Sequence, residues 1–218
     1  MVDDVSAVGL SIMLISTVLG ICIFPRVETP VRWVLAATVF SILTEIAGMT
    51  VNVYMSNNIV YYIANPIEAG LIAMFFISLQ SSPKKTYLCY TAFAYLIFAG
   101  LMNSFFPAAD GVTTTYLIIV KGLIMTFLSI DYILALFRDE DPGNEIHINR
   151  IIISMGVLFY YSFSAIYFSI NSYFYTHNLS LNSIAGLSPF LYVVYSIFQA
   201  GVLSVLFFIS GKKERHVQ

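Results

Sequence analysis

Four ionisable side chains stand inside stretches that are otherwise apolar: Glu45 in SILTEIAGM, Glu68 in NPIEAGLIAMFFIS, Lys121 in LIIVKGLIM and Asp131 in FLSIDYILAL. In hydrocarbon such a group costs roughly 2.5–3.5 kcal/mol at a helix centre, so it turns to an interior or a cavity and takes partners there. Carboxylates in that setting can hold a proton, a metal ion or a cationic solute, and two placed side by side share one proton. Lys121 balances one acid, and the second acid leaves a negative charge for a ligand to compensate. Amides extend the set. Asn52 follows Glu45 by seven residues and Asn65 precedes Glu68 by three, spacings that place each amide on the helix face of its acid. Gln199 stands in QAGVLSVLFFIS, close to a copy of the Glu68 stretch.

The elements that carry these groups follow from composition. Of the 218 residues, 59% are hydrophobic and 10% charged, against about 25% charged in an ordinary soluble domain. A helix needs about 20 apolar residues to cross a bilayer. Seven runs meet that length: 5–24, 33–55, 59–79, 87–106, 112–137, 150–174 and 187–210. Between them lie breakers, among them Pro25, Pro30, Pro83, Pro107 and the turn Asp141-Pro142-Gly143. The runs are continuous, unlike the short alternating strands of a membrane β-barrel. The fold class is therefore all-α, with residues 1–218 forming one seven-helix transmembrane domain. The acidic start, MVDD, lacks the basic flank of a cleaved leader, so the first run reads as a retained helix. Cys22 and Cys89 sit in apolar runs without metal or redox spacing and read as small hydrophobic residues.

Basic residues set the orientation. With the N-terminus outside, Arg26, Arg32, Lys84, Lys85, Arg138, Arg150, Lys212, Lys213 and Arg215 all fall on the inner side. The outer segments contain no Lys or Arg, and Lys121 lies within a span. The expected topology is N-out, C-in, in a plasma membrane of bacterial inner-membrane type. A net charge of -2 supplies no basic stripe for nucleic acid, and the bilayer is the expected partner.

At about 1.5 Å per residue, Glu45, Glu68 and Lys121 each lie roughly 14–15 Å from the outer end of their helices. The short connection between the second and third spans makes them antiparallel neighbours, so Glu45 and Glu68 can face each other. Pro66 removes a backbone N–H at the same level, an irregularity suited to a cavity wall. The expected site is a polar chamber of Glu45, Glu68, Asn52, Asn65, Lys121 and Gln199. Tyr160, Tyr161, Tyr192, Tyr195 and Asn171 are further candidates for its lining, with aromatic packing as their simpler role. Asp131, roughly 9 Å from the inner end of its helix, reads as a structural group within reach of Arg138.

Pairing EAGLIAMFFIS with QAGVLSVLFFIS suggests a parallel repeat of spans 1–3 and 5–7 around a linking fourth span. In that arrangement Gly70 and Gly201 mark close backbone approach. The 3+1+3 plan resembles the PQ-loop transporter superfamily in architecture, although this chain has Asn65-Pro66 and Ser188-Pro189 and no Pro-Gln. Thr44-Glu45 with Asn52, and the Tyr62–Glu68 entry YIANPIE, resemble an uncharacterised family of small bacterial seven-helix inner-membrane proteins. That resemblance implies topology and brings no activity with it. Microbial rhodopsins differ in needing a lysine in the last span. Ceramidase-like hydrolases need clustered histidines, whereas His147, His177 and His216 lie outside the expected spans.

No nucleophile motif or cofactor signature stands in the spans, so catalysis is the less expected role, with a carboxylate-only membrane hydrolase as the form left open. The leading expectation is a transporter for a small polar or cationic solute or an ion, with proton coupling through the acids. One alternative is a heptahelical sensor or partner subunit signalling through the inner loops, with Asp139–Glu145 as its docking segment. Another is a buried polar network that only fixes helix packing.

Overall fold

The computed structural model describes residues 2–51, 58–79, 82–105, 112–138 and 145–177, together with Val194, Ile197, Phe198 and Gly201. The described residues form six long helices: α1 (Val2–Ile23), α2 (Thr29–Val51), α3 (Asn58–Leu79), α4 (Ser82–Phe105), α5 (Val112–Leu136) and α6 (Glu145–Thr176). A 3-10 turn, Phe24–Arg26, follows α1, and no strand is present among the described residues. Four stretches are long and apolar enough to cross a membrane: Thr29–Gly48, Pro83–Met102, Thr115–Leu136 and Ile148–Phe174. Ile63–Leu79 is a shorter apolar stretch. Six of the seven expected runs coincide with helices, and the seventh, 187–210, lies mostly outside the described residues.

Local chemistry explains why the helices tolerate an apolar medium. A hydroxyl with no water available satisfies itself on its own helix. Thr38 donates to the Val34 carbonyl at 3.0 Å, Ser129 to that of Met125 at 2.8 Å and Ser162 to that of Leu158 at 2.6 Å. Large apolar side chains cover the outside as well as the inside. On α4, Leu88, Tyr95 and Ala99 make a narrow buried stripe while Tyr90, Phe93 and Phe105 are exposed. Both cysteines are exposed in the same outward sense.

The inner packing centres on α3, α5 and α6. Phe75, Phe76, Leu117 and Val157 are fully buried, and Phe76 meets the Phe75 ring and, at 6.2 Å, the Tyr132 ring edge-on. Glycine permits the closest approaches, since it has no Cβ to separate two backbones. A Cβ at Gly122 would stand 2.7 Å from the Ala165 Cβ and 2.8 Å from the Tyr161 carbonyl oxygen. At Gly20 and Gly156 it would press on Leu35 and Phe198. Gly70 corrects the repeat-based expectation: among the described residues nothing lies within 4 Å of a Cβ built there, and a Cβ at Gly201 meets Ile152 at an ordinary 3.7 Å.

These contacts also fix directions. Gly48 lies against Tyr61, so α2 and α3 are antiparallel. Gly122 against Ala165, and Thr126 against Ser162 at 3.0 Å, make α5 and α6 antiparallel. Phe198 on Gly156 and Gly201 beside Ile152 run the last described residues back along α6, with Phe198 stacked on Tyr160 at 5.9 Å. At the α6 start, Arg150 reaches Glu28, between α1 and α2, at 2.8 Å. Arg32, Lys84, Lys85, Arg138 and Arg150 therefore stand at one end of the bundle, as the charge count anticipates.

Candidate functional site

Midway along α3, Asn65 and Glu68 share a face that turns to α5 and α6. Pro66 lies between them within the helix and removes the N–H that would bond the Tyr62 carbonyl four residues back. The close approach at Gly122 lets α5 settle directly on α6. That contact brings Lys121 and Tyr161 to Glu68 from opposite sides.

Lys121 Nζ donates to Asn65 Oδ1 at 2.6 Å and to Glu68 Oε2 at 2.7 Å. Tyr161 donates its hydroxyl to Glu68 Oε1 at 2.9 Å. The ammonium also lies 5.6 Å from the centre of the Tyr161 ring, within the range of cation–π attraction. Lys121 and Tyr161 are buried, and the Glu68 side chain keeps 17% of its surface. Both carboxylate oxygens thus accept from the protein, and the pair is balanced in charge.

Asn65 has one arrangement open to it. An ammonium only donates, so the amide oxygen must face Lys121. The amide nitrogen then turns away, and Nδ2 is buried with no hydrogen-bond partner among the described residues. Such a group costs about 1–3 kcal/mol, so the network is one acceptor short. A hydroxyl, carbonyl or anionic oxygen would fill it.

The structure brings together three of the six expected site residues, Asn65, Glu68 and Lys121. It adds Tyr161 as a direct partner, where its sequence position suggested at most a lining hydroxyl. Glu45 is helical in α2, near the level of Ala64 by the Gly48–Tyr61 contact, and its side chain lies outside the described residues. Asn52 and Gln199 also lie outside them, as do Tyr192, Tyr195 and the proposed docking loop at 139–144. Asp131 is half-buried, Arg138 is exposed, and the two do not form an ion pair.

Comparison with family models, curated proteins and solved structures finds no match for this chain.

Proposed function

We propose that the chain is a seven-span, N-out inner-membrane transporter of a small polar solute or ion, operating through the Asn65–Glu68–Lys121–Tyr161 network. The observation that carries this reading is the Lys121–Glu68 ion pair, 2.7 Å long and buried among apolar helices, with a sealed amide donor beside it. Intramembrane ionisable groups mark ion and solute paths more often than bulk packing. A charge-balanced network with one unfilled donor fits a closed state that opens to complete its hydrogen bonds on a ligand. Glu68 and Lys121 can exchange their mutual contact for a proton or a solute group, which is the basis for coupling flux to a pH gradient.

The packing-lock reading has one observation in its favour: Asn65 Nδ2 and Lys121 are closed off by protein. Replacing both members of a buried pair by neutral groups of similar size often leaves stability unchanged. The paired variant Glu68→Gln/Lys121→Met therefore separates the readings. Reconstituted in proteoliposomes with a pH gradient, the native chain is expected to move its substrate, found by counterflow against amino acids, polyols and monovalent ions. Both Glu68→Gln and the folded paired variant are expected to lose flux at least tenfold. Undiminished flux in the folded paired variant would exclude the network as the transport site.

A further inference from the structure

A second feature lies on the face of α3 that carries Ile67 and Leu71. Between α1, α2 and α3 runs a cleft of about 640 Å³ whose walls include Gly20, Leu35, Ala36, Leu43, Ile67 and Leu71. Its one hydroxyl belongs to Thr17, and that oxygen is shielded by protein, so the surface offered is hydrocarbon. From Leu35 to Leu43 the cleft follows α2 for roughly 12 Å. Ile21, Leu43 and Ile67 are exposed along it, which leaves the cleft open to the surrounding medium.

One end has a different character. Phe24 and Pro25 form the wall there, and the Arg32 guanidinium lies 5.5 Å from the centre of the Phe24 ring. Arg32 donates Nε–H to the Val27 carbonyl at 2.8 Å and a terminal N–H to that of Pro25 at 3.3 Å. These bonds hold the guanidinium at the mouth and leave its other N–H groups for an acceptor. Among the described residues no ion pair engages it, and Glu28, four residues before it, is engaged by Arg150. Arg32 stands three residues inside the candidate span that begins at Thr29, and its guanidinium turns back toward that end, to the carbonyls of Val27 and Pro25.

We infer that this cleft is a binding site for an anionic phospholipid, with one acyl chain along α2 and the phosphodiester on Arg32. A hydrocarbon trough with a cation fixed at one end, without an ion-pair partner among the described residues, matches that ligand in both parts. A zwitterionic lipid brings its own cation to the mouth and loses the electrostatic advantage. The basic end of the bundle would meet the anionic leaflet, where each cation near the surface attracts such lipids.

The test uses the full chain in detergent and two probes, dioleoyl phosphatidylglycerol and dioleoyl phosphatidylcholine, with retention after delipidation read by native mass spectrometry. The native chain is expected to retain phosphatidylglycerol at least fivefold over phosphatidylcholine. Arg32→Gln is expected to bring the ratio near one. Ala36→Phe fills the trough, leaves Arg32 in place, and is expected to abolish retention of both lipids without changing helicity. Arg32→Lys keeps the charge and is expected to restore part of the preference, which separates lipid recognition from the carbonyl caps. Equal retention of the two lipids by the native chain would overturn the assignment. So would an undiminished preference in folded Ala36→Phe, or a dimer lost in Ala36→Phe, which would make a second copy the occupant.

Discussion

Lys121 is the group on which the polar network turns. It is almost wholly buried and holds two acceptors from α3. Removing one member of a buried pair leaves the other uncompensated, at a cost of about 3–5 kcal/mol. Glu68→Gln should therefore unfold at markedly lower denaturant, and adding Lys121→Met should recover most of the loss. A double-mutant cycle by reversible unfolding in mixed micelles measures the coupling, and additive losses would dissolve the pair as an energetic unit. Tyr161→Phe keeps the ring and removes a donor to a carboxylate, so about 1.5–3 kcal/mol should be lost. Part of this arrangement was legible in the sequence, because depth along a helix is simple counting: Glu68 and Lys121 come out at one level before any fold is known, and Asn65, three residues before Glu68, falls on the same helix face. Rotation about the helix axis is not counted so easily. That is why Tyr161 looked like one aromatic among many, while the bonds of Lys121 to Glu68 and Asn65 join two members of the expected chamber and the Glu45 side chain lies outside the described residues.

At the scale of the helices, small residues decide how close neighbours come. Gly122→Ala drives a methyl group into Ala165 and the Tyr161 carbonyl oxygen. It should destabilise by about 1–3 kcal/mol as the two helices move apart. Gly70→Ala meets open space and should instead stabilise by about 0.5–1 kcal/mol through helix propensity. Melting temperatures of the two variants in one detergent check the opposite signs. The likeness of the Gly70 and Gly201 segments pointed to the wrong glycines, since similar apolar strings do not specify which face meets a neighbour. Helix extents were easier to read. Runs of apolar residues fall close to the observed ends of α1, α3 and α5, while α2 starts four residues before its run and α4 and α6 start five before theirs, at Ser82 and Glu145. Those early residues are polar, so hydropathy alone could not find them.

Across the whole molecule, charge is sorted by end. The antiparallel helix pairs and the Arg150–Glu28 contact gather Arg32, Lys84, Lys85 and Arg138 on one side, which under the proposed N-out topology would be the cytoplasmic one by the positive-inside rule. In a background with Cys22 and Cys89 replaced, a single cysteine at Lys84 should react with a membrane-impermeant maleimide only after the cells are opened. Reaction in intact cells would reverse the orientation. The Lys121–Glu68 bond has a bearing on how such a chain is made. Its partners are separated by 53 positions, and ribosomes add about 5–20 residues per second. Glu68 would thus be added to the chain roughly 3–10 s before the lysine that neutralises it. During that interval the third helix carries an unanswered acid, and its place in the bilayer stays provisional until the fifth arrives. The nascent protein would then depend on the insertion machinery, or on a borrowed proton, to keep its first half from slipping back out.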